Sequence, residues 1–477
     1  MRTLGPLVGM VSALVLATQL AAPAPLLASG AQPSSPSAAR IAKDLRALCS
    51  VEAGRVPGTP GYEEALEYSE RTLRELGLPP RRQEVVVHRF LPDTLRVDLV
   101  DADSKISGLT LHSLGASGGA LAGGYGLLDL GAGTPAELGA AAPSIPGRVV
   151  LMEPTSLDQE GVIHRLEKLD RAAAAGAAGV IFLSPLLCEI QGVVAWEGLS
   201  RIPAFSGPHV STLREELTSN PSLTLTIRDD AKGAWRQVPS ANLIAEMKGT
   251  NPAARQILVS AHLDAWNLGQ GALDNGAGVC VLLESARLLR AQLARVDGAR
   301  LERTIRFVLF TGEELGLEGS RAYLKRVEQG EESAPAAVLN LEMCESPAGF
   351  VVHSGAGLTL LLNRLVLEHR DLGLDQGVVQ RLDLYSDHMP FLLAGYPSFT
   401  LSYHRGENSR ERIHTKYDRV DAIDPEGLAR SAELVAEALW ALTRDGAPVP
   451  PRLDESALRG LFARSGMDLD RVREKGY

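Results

Sequence analysis

The sequence predicts an α/β protein with a mixed, mostly parallel twisted sheet flanked by helices and a smaller inserted α/β module. Two apolar runs rich in β-branched residues, 257–260 and 304–310, have the length and composition of buried parallel strands. Between them, residues 278–293 are apolar at helical spacing, with Glu284 and Arg287 on the opposite face. A strand, a helix and a second strand in this order form the repeating unit of such sheets.

The first residues have the composition of a secretory signal. Arg2 precedes an apolar stretch that runs to about Ala28, and small residues follow it. We therefore expect residues 1–31 to be removed and the protein to be secreted or periplasmic. Prolines within the stretch make a membrane anchor the less favoured alternative. No later segment approaches the ~20 apolar residues of a spanning helix, so we expect no stable membrane anchor after cleavage.

The next part of the chain predicts two helices and two strands. Residues 40–78 have helical periodicity, and the turn sequence RVPGTPG at 55–61 divides them into two helices. Residues 83–88 and 94–99 have the alternating pattern of strands. We assign these elements to the main domain.

A change of composition marks the inserted module. Residues 109–236 contain glycine- and alanine-rich segments together with short strand and helix patterns, and strand character resumes at Ala241. The resumed strand needs partners from both sides of the insertion. We therefore expect 40–108 and 237–445 to form one domain, with 446–477 as a proline-rich exit and C-terminal tail.

The remaining main-domain elements continue the alternation of strands and helices. Helices are predicted at 319–327, 358–369 and 425–443, and strands at 337–341 and 398–402. The total of 477 residues fits two or three domains. The formal charge of −10 argues against nucleic-acid binding, and the four cysteines include no CxxC pair that would indicate a thiolate zinc site.

Side chains that bind metals follow the ends of successive predicted strands: His262, Asp274, Glu314, Glu342 and His414. The carboxyl ends of parallel strands meet at one edge of a sheet, so we expect these side chains to lie together. Imidazole nitrogens and carboxylate oxygens are typical zinc ligands. One shared carboxylate, with one histidine and one acid for each metal, would hold two metals ~3.5–4 Å apart. Asp274 is the candidate for the shared ligand because it stands between the others in the chain.

Two further acids are expected to support the chemistry. Glu313 is left uncoordinated and is placed to accept a proton from a water that bridges the two metals. Asp264, two residues beyond His262, is expected to accept the imidazole N–H and fix its tautomer. A single His-x-Asp or Glu-Glu pair is usually a solvated turn. The prediction depends on finding several such side chains, each directly after a buried strand. Unpaired acids are costly to bury, so acids at these positions indicate a bound partner such as a metal.

This set of residues resembles the co-catalytic zinc exopeptidase family, which includes bacterial leucyl aminopeptidases and the plasma-type glutamate carboxypeptidase. The resemblance covers most of residues 40–445 and is closest to the plasma-type branch at HLDAWNLGQGALDNGAG, residues 262–278. It implies the zinc-exopeptidase fold, two zinc ions on the five candidate ligands, Glu313 as general base and a cis peptide bond after Asp274. Residues 109–236 resemble the protease-associated insertion of many relatives.

One ligand departs from the family pattern. The family usually has an aspartate at the end of the third strand, where this chain has Glu342, with Glu345 as an alternative. The position of Glu342 directly after the predicted strand 337–341 favours it over Glu345.

Candidate substrate-binding residues lie near the predicted strand 398–402. They are Tyr403 or His404 for the oxyanion and Arg405, Arg410 or Arg412 for a substrate carboxylate. A solvated basic loop is an equally good explanation of the arginines. The sequence Ser386-Asp387-His388 cannot form a catalytic triad, because its members are consecutive. We expect His388 to line the pocket or cap a helix.

The sequence therefore predicts a secreted zinc exopeptidase acting on a short peptide or dipeptide substrate. The family as a whole favours an aminopeptidase, whereas the plasma-type resemblance favours a carboxypeptidase or dipeptidase and implies a homodimer. Two other interpretations stay open: a single-zinc glutaminyl cyclase on the same scaffold, and a non-catalytic binding protein of receptor type.

Overall fold

The computed structural model describes residues 35–475 apart from 51–53, 92–93, 102–104, 159–160, 196–197, 230–233, 407–408, 445 and 448. The predicted signal segment 1–31 lies outside the described residues. Within the part of the chain that is described, no helix has both the length and the apolar character needed to cross a membrane.

The described chain contains seventeen strands and thirteen α-helices. The strands are β1 Arg81–Leu91, β2 Thr94–Val100, β3 Lys105–Ser113, β4 Gly124–Asp129, β5 Val149–Met152, β6 Ser156–Asp158, β7 Gly161–Ile163, β8 Gly179–Phe182, β9 Ala204–Ser206, β10 Thr224–Asp229, β11 Ala234–Met247, β12 Gln256–His262, β13 Ile305–Phe310, β14 Pro335–Asn340, β15 Ser346–Val352, β16 Gly377–Gln380 and β17 Ser398–His404. The helices are α1 Pro36–Leu48, α2 Pro60–Glu75, α3 Pro135–Ala141, α4 Arg165–Ala174, α5 Val210–Ser219, α6 Gly278–Arg295, α7 Glu318–Glu328, α8 Ala356–Glu368, α9 His388–Leu393, α10 Ser409–Arg412, α11 Pro425–Leu442, α12 Glu455–Arg464 and α13 Leu469–Lys475.

The main sheet has eight strands in the order β1-β11-β13-β12-β14-β17-β15-β16. Strands β13, β12, β14 and β17 run parallel to one another, whereas β1, β11 and β15 each pair antiparallel with a neighbour. The expected mixed, mostly parallel sheet is therefore confirmed at its centre. The carboxyl ends of the four central parallel strands meet at one edge, where ligand sites form in such sheets.

Both faces of the sheet are covered, which explains why the central strands are mostly apolar. Val259 faces the larger core with α1, α6 and α11, while its neighbour Leu258 faces Tyr323 of α7 and Phe391 of α9. Consecutive residues of a strand point to opposite faces, so both must be apolar. Full burial of a leucine or phenylalanine contributes about 2 kcal/mol to folding.

Helix starts follow the capping residues of the sequence. Ser35 precedes Pro36 and accepts a hydrogen bond from the main-chain N–H of Ala38 at 3.1 Å. Asp424 precedes Pro425 and accepts from two main-chain N–H groups at the start of α11. Such caps satisfy donors that the first helical turn leaves unpaired. They fix the ends of α1 and α11 against the sheet.

A second unit, residues 94–229, is inserted between β1 and β11; we call it the inserted module. Seven of its strands close into a barrel in the order β10-β2-β3-β9-β8-β5-β4. One apolar cluster, which includes Val97 and Leu111, fills the barrel with α5, and another, which includes Val150 and Leu169, packs α3 and α4 against it. The module therefore has its own core.

The expected boundaries of the insertion, 109 and 236, differ from the structure. Strands β2 and β3, part of which we had assigned to the main domain, pair within the barrel. Strand β1 ends at Leu91, which pairs with Ala234 at the start of β11. The alternating pattern of 94–99 predicted a strand correctly but carried no information about its partner. The insertion thus begins about fifteen residues earlier than its change of composition indicated.

The C-terminal tail contains the helices α12 and α13 and packs on the main domain. Leu458 and Phe462 of α12 lie in one apolar cluster with Leu317 and Met389. Leu317 follows the predicted metal ligand Glu314 by three residues, and Met389 lies at the start of α9. The tail therefore supports two segments that border the predicted site.

Candidate metal centre

His262 is the last residue of β12, and its imidazole is fully buried. Its Nδ1 lies 3.0 Å from the main-chain oxygen of Asp264. A carbonyl oxygen only accepts, so Nδ1 carries the proton and Nε2 faces the neighbouring acids. Nε2 lies 3.2 Å from Oδ1 of Asp274 and 3.3 Å from Oε1 of Glu342. The strand end therefore presents one imidazole nitrogen to two carboxylates.

Asp264 supports the site, but not through the hydrogen bond that we expected. Its carboxylate lies 3.6 Å from Nδ1 of His262. It accepts instead from the main-chain N–H groups of Glu313 at 3.2 Å and Glu314 at 3.1 Å. These amides follow β13, beyond its ladder, and need an acceptor because they are buried. Asp264 thus orients the histidine with its main-chain oxygen and both glutamates with its carboxylate.

Asp274 lies in an irregular turn, Ala272–Ala277, directly before α6. The peptide bond between Asp274 and Asn275 is cis, as the family resemblance implied. The carboxylate of Asp418 accepts from the main-chain N–H groups of Leu273 at 2.7 Å and Asp274 at 3.1 Å. These contacts hold the turn so that both carboxylate oxygens of Asp274 face histidines.

A buried arginine holds the segment between His262 and Asp274. The guanidinium of Arg55, 1% exposed, donates to the main-chain oxygens of Leu263 at 2.7 Å, Gln270 at 2.8 Å and Gly271 at 2.9 Å. Our sequence reasoning missed both Arg55 and Asp418. Both act on main-chain atoms of a distant segment, and neither stands in a pattern that distinguishes it from a surface charge.

Glu342 follows β14 by two residues and is oriented by a chain of hydrogen bonds. Its Oε2 accepts from the hydroxyl of Ser386 at 2.6 Å. Ser386 in turn accepts from the amide nitrogen of Asn340 at 2.7 Å, and the amide oxygen of Asn340 accepts from Ser260 at 2.8 Å. Ser260 and Asn340 belong to β12 and β14, so the sheet itself fixes this carboxylate. Ser386 therefore positions an acid and is no nucleophile.

The structure also separates the two candidates for the third-strand acid. Glu342 lies beside His262 and Asp274, whereas Glu345 points away and accepts from the main-chain N–H of Gly406 at 3.0 Å. Glu342 is one methylene longer than an aspartate, and the hydrogen bond from Ser386 restrains its carboxylate.

His414 follows the short helix α10 and has a left-handed backbone conformation, with φ of 61°. Its Nε2 lies 3.0 Å from Oδ2 of Asp274 and 3.1 Å from Oε2 of Glu314. Its Nδ1 lies 3.1 Å from the main-chain oxygen of Gln191. Gln191 belongs to the inserted module. The imidazole of His414 is thus oriented by the inserted module, whereas the two acids beside it, Asp274 and Glu314, belong to the main domain.

The five predicted ligands form two groups that share Asp274. The groups are His262, Asp274 and Glu342, and Asp274, Glu314 and His414; within each, the ligand atoms lie within 4.8 Å of one another. An imidazole and two carboxylates suit zinc. Oε1 of Glu314 is buried without a hydrogen-bond partner, which a bound cation would satisfy. The donor set and this oxygen both fit two metal ions.

The electrostatics of the cluster agree with this fit. Burial alone would raise the pKa of Asp274, but hydrogen bonds from His262 and His414 hold it below its ordinary value. Burial raises the pKa of Glu313 well above its ordinary value; His262 opposes this shift, and neighbouring carboxylates add to it. Several buried acids thus face two imidazoles. Cations bound between them would neutralise the excess negative charge.

Glu313 belongs to neither ligand group. Its nearest oxygen lies 3.9 Å from Nε2 of His262, and its side chain lines the same cleft as the ligands. It is 6% exposed. Its position beside both groups and outside them is the one that we predicted for a proton acceptor.

The two groups open into a cleft of about 520 Å³ lined by both the main domain and the inserted module. The predicted substrate-binding residues Tyr403, Arg405 and His388 all line it. Burial raises the pKa of Tyr403, so its phenol remains a hydrogen-bond donor. His388 is fixed in the wall, because its Nε2 donates to the main-chain oxygen of Asp383 at 2.7 Å and its ring stacks on His353.

The inserted module adds side chains to the cleft that the sequence did not reveal. His164 stacks on Tyr385 of the main domain with ring centroids 4.6 Å apart. Arg165, 6% exposed, donates through Nε to the main-chain oxygen of Val193 at 2.7 Å and lines the cleft beside the metal ligands. The sequence did not indicate a role for these two residues, because they lie at the start of α4. Its sequence there, HRLEKLDR, has the pattern of an ordinary amphipathic helix.

Arg165 and Arg410 are two cations in the cleft. Among the described residues, neither makes an ion pair, and Nη1 of Arg410 is buried without a hydrogen-bond partner. Burial lowers the pKa of both, and Arg405 lowers that of Arg410 further. Arg165 is buried and Arg410 is half-buried, so the cleft wall presents two guanidiniums that make no ion pair within the described part of the chain.

Comparisons with known proteins agree with this geometry. The family model of peptidase family M28 matches residues 242–439. The probable lipoprotein aminopeptidase LpqL of Mycobacterium tuberculosis is 27% identical, covering 86% of this chain and 85% of its own. Carboxypeptidase Q of Bos taurus is 27% identical over 58% of this chain and 59% of its own. The fold is similar to that of BSAP, a zinc aminopeptidase from Bacillus subtilis, with 24% identity, a TM-score of 0.60 and coverage of 89% of this chain and all of that one.

Proposed function

The chain belongs to peptidase family M28 through residues 242–439 and is a zinc-dependent metallo-exopeptidase, and we propose that it is an exported aminopeptidase acting on short peptides. The observation that carries the proposal is the pair of ligand groups sharing Asp274, with Glu313 beside both. The similarity to the probable lipoprotein aminopeptidase LpqL, over 86% of this chain and 85% of that one, supports release of amino-terminal residues.

We assign two zinc ions to the two groups, one to His262, Asp274 and Glu342 and the other to Asp274, Glu314 and His414. Zinc bound there would lower the pKa of a water molecule and polarise the scissile carbonyl. The protein's contribution is to hold the five ligands in place through Asp264, Asp418, Ser386 and Gln191.

In this proposal Glu313 is the general base and then the general acid. Its carboxylate accepts a proton from the attacking water and delivers the same proton to the leaving amine nitrogen. Its side chain lines the cleft beside both ligand groups, with its nearest oxygen 3.9 Å from Nε2 of His262, which places the carboxylate to accept this proton. Tyr403, a hydrogen-bond donor in the cleft wall, is placed to stabilise the oxyanion.

The arginines of the cleft favour substrates with a free carboxylate. Arg165 and Arg410 line the cleft that contains the ligands and lack acidic partners of their own among the described residues. A dipeptide or tripeptide would place its amino terminus near the ligand groups and its carboxylate near these guanidiniums. The same observation supports the second candidate, a carboxypeptidase or dipeptidase like carboxypeptidase Q.

A panel of dipeptides distinguishes these activities. Free, amino-terminally acetylated and carboxyl-terminally amidated forms of one dipeptide would be incubated with zinc-loaded protein, and released amino acids would be quantified. An aminopeptidase hydrolyses the amidated form and not the acetylated form, and a carboxypeptidase does the reverse. A dipeptidase hydrolyses only the free form. No hydrolysis of any form, with zinc bound, would overturn the proposal.

Export and access are further parts of the proposal. Residues 1–31 are proposed to direct secretion or transport to the periplasm, which amino-terminal sequencing of the mature protein tests directly. The inserted module forms one wall of the cleft and is proposed to be a protease-associated domain that restricts access to short substrates. A hydrolysis rate that does not fall as peptide length increases would contradict this restriction. A homodimer is also proposed, and light scattering of the purified protein measures it.

A further inference from the structure

We propose that the inserted module is part of the metal centre, because Gln191 positions His414 as a zinc ligand. Zinc occupancy of the group Asp274, Glu314 and His414 then depends on how the module docks. This inference rests on the proposed assignment of two zinc ions to the two ligand groups. Gln191 is a positioning residue, since it contacts a ligand and not the metal.

The backbone of Gln191 forms two hydrogen bonds with His414. The main-chain N–H of Gln191 donates to the main-chain oxygen of His414 at 2.9 Å. The main-chain oxygen of Gln191 accepts from Nδ1 of His414 at 3.1 Å. Since this oxygen only accepts, it places the imidazole proton on Nδ1 and leaves the lone pair of Nε2 for the metal.

The side chain of Gln191 joins the same residue to the segment between His262 and Asp274. Its amide oxygen accepts from the main-chain N–H groups of Asn267 and Leu268, both at 3.0 Å. Its amide nitrogen donates to the side-chain oxygen of Asn267 at 2.5 Å. One module residue therefore connects two main-domain segments that both carry zinc ligands.

His414 has particular need of this support. It is not in a strand or a helix, its backbone has a positive φ that non-glycine residues rarely adopt, and it follows a helix of only four residues. His262, by contrast, ends a buried strand and finds the acceptor for its Nδ1 two residues further along its own segment. The position of His414 therefore depends more on contacts from outside its segment.

Other contacts at the same junction hold the module in place. The hydroxyl of Ser184 donates to the main-chain oxygen of Glu411 at 3.3 Å, three residues before His414. The stacked rings of His164 and Tyr385 join the module to the main domain on another side of the cleft. The docking of the module is thus supported by several independent contacts, of which only those of Gln191 reach a ligand directly.

The test compares zinc binding in Gln191→Ala and Gln191→Glu. The alanine variant keeps the main-chain bonds between Gln191 and His414 but loses the side-chain bonds to the segment 267–268, which hold the main chain of Gln191 against His414. In the glutamate variant, the carboxylate oxygens can still accept from both amides. Each zinc-loaded variant would be titrated with a chelator, and zinc per chain would be measured. Loss of a residue that orients a ligand lowers metal affinity about 10-fold or more.

We expect Gln191→Ala to lose one of its two zinc ions at an about 10-fold lower chelator concentration than the wild type, with the other unchanged. Gln191→Glu should restore the wild-type titration. Gln376→Ala, which removes a glutamine from another wall of the cleft, should not alter it. Equal weakening of both zinc ions in Gln191→Ala, or no change, would overturn the proposal. A wild-type protein without two zinc ions would overturn the proposed function as well.

A second readout does not depend on the variants. If docking of the module favours zinc at His414, removal of zinc must weaken docking by the same factor. Hydrogen exchange of the wild-type protein, with and without chelator, measures this at the main-chain N–H groups of Gln191, Asn267 and Leu268. Faster exchange in the zinc-free protein is expected. Unchanged exchange at all three, with zinc demonstrably removed, would contradict the coupling.

Discussion

His262 and His414 take equivalent places on either side of Asp274, but the chain supports them differently. His262 lies in the central sheet, and the acid beside it, Glu342, is oriented by side chains of β12 and β14. His414 lies in a loop and is oriented by Gln191 of the inserted module. One half of the metal centre is therefore formed within the sheet, and the other requires two units to come together.

This difference indicates which half is the more adaptable. Atoms at the ends of buried strands move little, because close packing fixes the strands on both faces. A loop held by hydrogen bonds to a separate unit moves whenever that unit moves. We call the group His262, Asp274 and Glu342 the strand-end half, and the group Asp274, Glu314 and His414 the loop half. We expect the strand-end half to keep its metal under conditions that release the metal of the loop half.

Replacing the proposed base, Glu313, should lower the rate of hydrolysis and leave zinc binding at both groups unchanged. Glu313→Gln keeps the size of the side chain but cannot accept a proton, so we expect peptide hydrolysis to fall by about 1000-fold or more. Both zinc ions should remain, because Glu313 is in neither ligand group. Hydrolysis rates and zinc content of the same preparation provide the measurement. Glu345→Gln, which alters a nearby acid outside the groups, should hydrolyse normally. Full activity of Glu313→Gln would remove Glu313 from the mechanism.

Replacing each histidine tests the two halves separately. His262→Ala and His414→Ala should each lose the zinc of their own group, and hydrolysis should fall strongly in both. His262→Ala should also lower the free energy of unfolding by about 1–3 kcal/mol, because it leaves a cavity in a fully buried position. His414→Ala should lower it less, since that side chain is 12% exposed and lies in a loop. Zinc analysis and denaturant unfolding measure these effects. Full zinc occupancy in either variant would exclude that residue as a ligand.

Removing the support of Glu342 tests the strand-end half alone. Ser386→Ala deletes the hydroxyl that donates to Glu342, and we expect the zinc of that half to bind about 10- to 100-fold more weakly. The other zinc should be unaffected. Ser398→Ala removes a buried serine hydroxyl that donates to the main-chain oxygen of Tyr396 and serves as the control. If Ser386→Ala weakened zinc binding only at the group that contains His414, our assignment of Ser386 to the site of His262 and Glu342 would be wrong.

The smallest expected effect concerns the contribution of the module to substrate binding. Arg165→Gln should raise KM for a free dipeptide by about 10-fold and leave kcat/KM for its amide unchanged, because only the free peptide has a carboxylate to pair with the guanidinium. Arg171→Gln, on the same helix but ion-paired with Glu167 at the surface, is the matched control. An equal loss on both substrates would indicate that Arg165 acts on the charge of the ligand groups instead.

Much of the strand-end half could be predicted from the sequence. Buried parallel strands have a distinct apolar composition, and acids and imidazoles after consecutive strands must come together at one edge of the sheet. Placing Glu342 directly after its strand used the same reasoning. The mixed sheet and the metal site at its edge were predicted on this basis, and the resemblance of residues 262–278 to the zinc exopeptidases added the zinc cofactor and the peptidase family.

The supports of the ligands could not be predicted in the same way. The side chains of Gln191 and Arg55 bond to main-chain atoms, and that of Asp418 does so from more than 140 residues away. A bond to a main-chain atom imposes no pattern on the sequence of its partner. The barrel strand β2 was assigned to the wrong unit for a related reason, since strand periodicity does not identify the neighbouring strand.

The most direct test of the whole account is the zinc content of the wild-type protein and of Asp274→Asn. Asp274 belongs to both of the residue groups that we propose as zinc sites. We predict about two zinc ions per chain in the wild type, and loss of zinc from both groups in the variant. A wild type that binds one zinc ion, or an Asp274→Asn variant that keeps two at wild-type affinity, would contradict a shared two-metal centre.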